Sequence, residues 1–346
     1  MNKFLLLFQG KILCFFYKRC ILNTNVAACS RNDMAAETDV YKGVFVVKFG
    51  VFSVSMPEYG IEESVALLKE LGYQGVEWRV AEMPEKEPET IDFEQRYWVY
   101  NKSTLELRDI ENEAKKAKQL CDEAGLEIFG LTTYLAVGER EKLQTVLKAA
   151  KAIGCHQVRA GLVPYNPAKA DKPYPELFAQ LREDLKALEN DLKENDVKLV
   201  LEIHMDTMIA SPSAAYRALE GLDAHYYGLI FDPGNMVNEG FEEYQKSFEL
   251  LGDYIAHVHI KNGILELDGE DELGACKWKR TWTPLKKGMA NLKKLFEVMY
   301  QKGYDGTVSI EDFSNAEDTK GKLTHNIAYL HQLAEAAKQP KEEKAE

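Results

Sequence analysis

Long apolar runs, paired cysteines, an excess of positive charge and glycine-rich phosphate loops are all missing from this 346-residue sequence. No apolar stretch reaches the roughly 18 residues of a membrane helix, so no membrane partner is expected. There are six cysteines, and three of them fall in the first 33 residues. Cys121, Cys155 and Cys276 stand singly, which excludes a disulfide framework and fits a reducing, cytoplasmic compartment. Lys and Arg number 43 against 56 Asp and Glu, a formal net charge of −13. That balance argues against nucleic acid as a partner, because phosphate-backbone binding is driven by clustered cations. No G-x-G-x-x-G and no Walker loop follows a strand-like segment, so dinucleotide and P-loop chemistry lack their backbone cradles. Internal repeats are absent, and the one biased tract is the charged tail KQPKEEKAE.

What is present begins with a segment unlike the rest. Residues 1–33 carry five Lys/Arg and one acid, leaving 38 basic and 55 acidic residues from Met34 onward, a net of −17. Gln9, Gly10 and Lys11 break its apolar runs FLLLF and ILCFF, and Lys18 and Arg19 fall where a signal peptide needs an unbroken apolar block. We expect a leader at 1–33 that is disordered or not part of the mature protein, with Met34 as the start; a targeting segment is the alternative. Residues 34–346 form the expected domain.

From residue 46 the pattern alternates. Strand-like segments at 46–54, 74–80, 126–135, 155–161, 197–204, 226–232, 254–262 and 306–313 are interleaved with amphipathic segments at 61–73, 104–125, 139–154, 175–196, 211–223, 241–252, 288–304 and 322–338. Strict alternation predicts a parallel sheet covered by helices. A count of eight favours an α/β protein closed as a single-domain (β/α)8 TIM barrel over an open sheet.

In such a barrel the C-terminal ends of the strands form the active-site rim. The polar residues there are Glu77, Trp78 and Arg79; Arg159; Glu202 and His204; Asp232 with Asn235; His257, His259, Lys261 and Asn262; and Glu311 with Asp312. The run GLIFDPGNM sets Asp232 at the end of a buried strand, where Asp-Pro-Gly is also ordinary turn chemistry. Alternation by two puts Glu202 with His204, and His257 with His259, on shared faces. If the faces of Glu202, Asp232, His259 and Glu311 point inward, three carboxylates and an imidazole converge from four consecutive strands. Three acids that close repel one another unless a cation sits among them. An oxygen-rich set with one imidazole suits Mn²⁺ or Mg²⁺, with Co²⁺ or Zn²⁺ as alternatives.

At these residues the chain resembles the xylose isomerase-like barrel superfamily, and within it the sugar phosphate isomerase/epimerase family of ketose 3-epimerases and inosose dehydratases. The resemblance covers residues 46–338 and rests on GVEWR, VLEIH, FDPGN, HVHIKN and SIED, in that order. It implies one divalent metal held by Glu202, Asp232, His259 and Glu311. It also implies a metal-dependent sugar isomerase or epimerase that abstracts a proton next to a carbonyl through an enediolate, with Glu202 and Glu311 as the acid–base pair. His204, Arg159, Asn235, Glu77, Lys261 and His257 make up the expected substrate-binding shell. Many relatives carry His where this chain has Asn235, which hydrogen-bonds but does not titrate. Trp78 and the RYWVY aromatics at 96–100 are expected either to stack on a sugar ring or to cover the barrel mouth, and Lys277, Lys279 and Arg280 to lie in a solvated loop, with phosphate binding as the alternative. Dehydration of an inosose or keto-sugar on the same site is the alternative chemistry. A catalytically inactive sugar-binding barrel is the alternative of another class, and a small-molecule sugar partner, with or without homo-oligomerisation, fits each. A trinuclear zinc phosphodiesterase needs more His and Asp ligands than can be placed here.

Overall fold

The computed structural model describes residues 47–339 apart from 94 and 163. The expected leader, Met34 and the charged tail beyond 339 lie outside the described residues.

The strands are β1 (Lys48–Phe52), β2 (Gly75–Ala81), β3 (Thr104–Glu106), β4 (Glu127–Ala136), β5 (Gln157–Gly161), β6 (Lys198–Glu202), β7 (Tyr227–Phe231), β8 (Ile255–Ile260), β9 (Asn262–Glu270), β10 (Cys276–Thr283) and β11 (Thr307–Ile310). The helices are α1 (Ile61–Leu71), α2 (Ile110–Ala124), α3 (Arg140–Ile153), α4 (Tyr174–Ala187), α5 (Glu189–Asn195), α6 (Pro212–Leu219), α7 (Pro233–Met236), α8 (Tyr244–Leu251), α9 (Leu292–Gln301) and α10 (Thr319–Ala337). Strands β1, β2, β4, β5, β6, β7, β8 and β11 pair side by side in that order, all parallel, and β11 returns to β1. The sheet is therefore a closed eight-stranded barrel, and the (β/α)8 expectation holds.

Local chemistry explains the elements. Helix α1 starts with Glu62 and Glu63 in its first turn and buries Ile61, Val65, Leu67 and Leu68 on the strands. It stops at Gly72, whose φ of +80° is left-handed and suits a residue without Cβ. Helix α6 opens as its sequence predicts, with Ser211 accepting from the Ala214 N–H and Pro212 in the first turn.

Alternation by two then divides each strand. On β6, β7, β8 and β11 the residues Leu199/Leu201, Leu229/Phe231, Val258/Ile260 and Val308/Ile310 face outward into the apolar core under the helices. Phe231, for example, packs edge-on against Tyr244 and Phe248 of α8; burying a side chain of that size contributes about 1.5–3 kcal/mol. The opposite face of the same strands therefore carries Glu202, Asp232, His257, His259, Ser309 and Glu311 into the barrel lumen.

Three segments differ from their predicted form. Residues 104–109 are a short strand and a turn rather than helix, because β3 pairs with β2 through Arg79–Thr104 and Ala81–Glu106. The helix predicted at 175–196 breaks at Leu188 into α4 and α5. Residues 262–283, expected as a loop holding Lys277, Lys279 and Arg280, form an antiparallel hairpin, β9–β10, outside the barrel sheet.

Candidate metal and active site

Glu202, Asp232, His259 and Glu311 bring one ligand atom each to within 4.8 Å of the others, and all four are buried. His259 Nδ1 lies 3.4 Å from Glu202 Oε1, 3.7 Å from Asp232 Oδ2 and 3.8 Å from Glu311 Oε2. Lys261 Nζ enters the same space, 2.9 Å from Asp232 Oδ2 and 3.6 Å from Glu202 Oε1, and donates to Glu311 Oε2.

Each member is aimed by its own local device. Asp232 caps the short helix α7: its Oδ1 accepts from the Asn235 N–H at 2.9 Å, which leaves Oδ2 facing the cluster. Both the turn-chemistry reading of Asp232 and its inward orientation thus hold, on different oxygens. Glu202 is braced from two sides, by Arg159 Nη2 on Oε2 at 2.7 Å and by Asn235 Nδ2 on Oε1 at 2.9 Å. His259 donates from Nε2 to Glu77 Oε2 at 2.8 Å and stacks on Phe52, ring centres 5.6 Å apart. Its Nδ1 is thereby turned toward the carboxylates.

The residues present fit a divalent ion. His259 Nδ1 is buried without a hydrogen-bond partner and points into the shared space, where Asp232 Oδ2 is met only by the Lys261 ammonium. A buried polar atom left that way costs roughly 1–3 kcal/mol. Glu202, Asp232, Glu311 and His259 would hold the ion. Its oxygen-rich donor set suits Mn²⁺ or Mg²⁺ and does not exclude Zn²⁺.

The electrostatics separate the two glutamates. Burial alone would raise Glu202, but the Arg159 guanidinium and the Lys261 ammonium overcome it and hold this carboxyl well below its usual range. Burial pushes Glu311 up to about 7, with Lys261 only partly opposing it. His259 is held well above an ordinary imidazole, since Glu77 and the neighbouring carboxylates outweigh its burial. His204 sits at the rim with Nδ1 at 2.6 Å from the Met205 carbonyl, and burial lowers its pKa.

Three expectations need correction. Glu77 and His257 were placed in the substrate shell, yet both lie on the Nε2 side of His259, away from the carboxylate cluster. His257 reaches Glu77 Oε2 at 3.2 Å, Ser309 Oγ at 2.9 Å and, at the N-terminal start of β11, Thr307 Oγ1 at 2.6 Å. Glu77 also accepts from Thr132 Oγ1. Glu77, His257 and His259 form a second cluster with metal-like spacing, but the atoms they bring together are already occupied by one another, Thr132 and Ser309. Glu77 thus contacts His259 directly, and His257 contacts Glu77. Trp78 was expected at the mouth, but it is fully buried in the core under the helices, because an inward Glu77 obliges its neighbour to face outward.

Sequence reasoning missed the polar supports Thr132 and Ser309, whose only signal was a hydroxyl at an inward position of a strand. It also missed the structure of the mouth. Phe52, Val54, Tyr97 and Phe313 form a second apolar cluster apart from the core, with Trp282 packed on it. Tyr97, Trp98, Trp282 and Phe313, with Arg280 and Asn315, line a chamber of about 240 Å³. Two of its walls border Lys261, whose Nζ lies 5.5 Å from the Trp282 ring centre and 5.7 Å from that of Phe313. Of the predicted RYWVY aromatics, Tyr97 and Trp98 therefore reach the mouth. Arg280 anchors the β9–β10 hairpin over it through Asp206 at 2.6 Å.

A closed parallel barrel with three carboxylates and an imidazole gathered at its C-terminal face is the architecture of a (β/α)8 protein with a candidate divalent-metal centre. The chain belongs to the family of xylose isomerase-like TIM barrels, whose family model matches residues 65–333. It is 26% identical over 150 residues to an inosose dehydratase of Lacticaseibacillus casei, covering 41% of this chain and 49% of that protein. The chain thus aligns with about half the length of the curated relatives it matches. Its fold is similar to that of a 3-keto-D-glucoside 4-epimerase from E. coli, with a TM-score of 0.60, 19% identity and coverage of 83% and 99% of the two chains. It is also similar to the IolI protein crystallised with a zinc atom, with a TM-score of 0.61, 16% identity and coverage of 85% and 100%. Among the described residues no helix is long and apolar enough to cross a membrane.

Proposed function

We propose that this protein is a metal-dependent isomerase or epimerase of a sugar or sugar derivative, acting by proton transfer at the carbon next to a carbonyl. One observation carries the reading: Glu202 and Glu311 flank one buried space from strands separated by β7 and β8, and their surroundings drive their proton affinities apart. Such divergence is how two carboxylates divide into base and acid. A divalent ion, Mn²⁺ or Mg²⁺ by its donor set, would supply Lewis acidity that polarises the carbonyl.

The chain's own groups do the rest. Glu202, held ionised by the Arg159 guanidinium, takes the proton. Glu311 returns one from the other side. Lys261 offsets the negative charge that develops on the substrate oxygen. The aromatic chamber offers flat faces to a sugar ring. Return of the proton to the opposite face of the same carbon gives epimerisation; return to the neighbouring carbon gives isomerisation. A second reading is favoured by the inosose dehydratase relative: with Glu311 as acid, a β-hydroxyl leaves as water. The free thiols of Cys121, Cys155 and Cys276 are in keeping with a reducing compartment.

The test is incubation of Mn²⁺-loaded protein in D₂O with ketoses, inososes and 3-keto-glycosides. Deuterium in a substrate C–H bond is expected for at least one class, and an unsaturated ketone absorbance would assign dehydration. A full panel without exchange or product would overturn the proton-transfer reading.

A further inference from the structure

Lys261 Nζ stands inside the carboxylate cluster. Its contacts to Asp232, Glu202 and Glu311 fill the space into which His259 Nδ1 and Asp232 Oδ2 point. Two cations do not fit there together. An ion bound at carboxylate distances of about 2.0–2.2 Å among atoms no more than 4.8 Å apart would sit against the ammonium. Like charges that close in a buried site repel strongly. The lysine stem cannot retreat toward α7: a Cβ at Gly234 would lie 2.3 Å from Lys261 Cγ, so the two are already in tight contact. On the outward side Trp282 and Phe313 have ring centres 5.5 and 5.7 Å from the ammonium where it now stands, so a small outward shift keeps it within cation–π range. Arg159 has no such conflict, since it holds the other oxygen of Glu202.

We propose that Lys261 is a built-in counter-ion: its ammonium holds Glu202, Asp232 and Glu311 together until a divalent ion takes its place, and then swings onto Trp282 and Phe313 at the mouth chamber. The inference rests on the metal reading above and deepens it. Metal uptake becomes an exchange of one cation for another, so affinity is weaker than the donor set alone would give. The lysine, already beside the chamber walls, turns fully onto them only in loaded protein.

Wild type, Lys261→Met and Lys261→Gln are compared after chelation, with Mn²⁺ as the probe. Both variants should melt below wild type before Mn²⁺ is added, and Mn²⁺ should raise their Tm by more than it raises that of wild type. By titration calorimetry they should bind Mn²⁺ at least about tenfold more tightly, the scale expected when a buried ion pair need not be broken. In stopped-flow tryptophan fluorescence the wild-type rate should level off at high Mn²⁺, because the lysine must leave first, while the variants stay linear. Equal affinities with linear rates throughout would overturn the proposal. In wild type alone, the ¹⁵N-lysine signal of the Lys261 ammonium should shift on adding Mg²⁺; an unmoved signal in Mg²⁺-saturated protein overturns the proposal even if neither variant folds. Folded wild type and variants that all fail to bind Mn²⁺ would overturn the metal reading itself, and the exchange with it.

Discussion

Glu77 Oε2 lies 2.8 Å from His259 Nε2, although the two residues are 182 positions apart. The contact fixes the ring so that the opposite nitrogen faces three carboxylates. Carboxylates behind a ligating histidine are worth about 10–100-fold in metal affinity. Glu77→Gln should therefore weaken Mn²⁺ binding by that factor while the fold, followed by circular dichroism, stays intact. Unchanged affinity would reduce Glu77 to a packing residue.

Asp232→Asn and His259→Ala should each strip the purified protein of most of its divalent ion, since each removes an inward donor from a set of four. Elemental analysis reads the outcome directly. Full metal content in both variants would break the assignment of this cluster.

Glu202→Gln and Glu311→Gln should each fold and lose at least about a hundredfold in turnover, the usual scale for removing a general base or acid. Solvent deuterium exchange, followed on metal-saturated protein, separates the half-reactions: one face of the substrate should still exchange slowly in each variant. Near-wild-type turnover in either would move the proton to another carrier, with His204 the first to test.

Glu202, Asp232 and Glu311 were legible because each is a carboxylate at the end of a largely apolar strand, His259 because it lies near the end of β8, and alternation by two fixes which side each faces. Height along the lumen was not legible. His257 and His259 share a face, yet they are two strand positions apart, about 6.6 Å along the strand. That places His257 beside Thr307 at the start of β11 rather than among the carboxylates. Trp78 was misplaced although the same alternation, applied to an inward Glu77, sends it outward. The β9–β10 hairpin left a signal in the alternating ILEL and KWKRTWT flanking a Gly- and Asp-rich turn. The mouth chamber was legible only through the RYWVY run, which supplies Tyr97 and Trp98; Trp282 and Phe313 join them only through folding of distant segments.

Gly234→Ala tests the packing behind Lys261. A Cβ there would fall 2.3 Å from Lys261 Cγ and 2.7 Å from the Lys261 carbonyl oxygen, so backbone must yield. Overpacking of this kind costs about 1–3 kcal/mol, readable as a lower urea midpoint with an unchanged slope. A midpoint equal to wild type would mean that α7 gives way freely.

Thiol reactivity offers an independent check of burial. Burial pushes the Cys121 and Cys155 thiols up to about 11, whereas Cys276 is exposed on β10. Iodoacetamide at pH 8 should modify Cys276 and spare the other two until denaturant is added, as mapped by peptide mass spectrometry. Rapid labelling of Cys121 or Cys155 in native protein would contradict the packing of α2 or the base of β5.

Strand β11 both closes the ring between β8 and β1 and carries the last of the four donors. During synthesis Glu202, Asp232 and His259 all leave the ribosome well before Glu311. A nascent chain therefore holds most of the acids while the sheet still has two open edges, and the cluster is complete only when the final strand docks. Parallel pairing between distant segments is slow to form. The four-residue cluster therefore exists only in the closed barrel, and an ion that needs all four donors would bind only after the ring has shut.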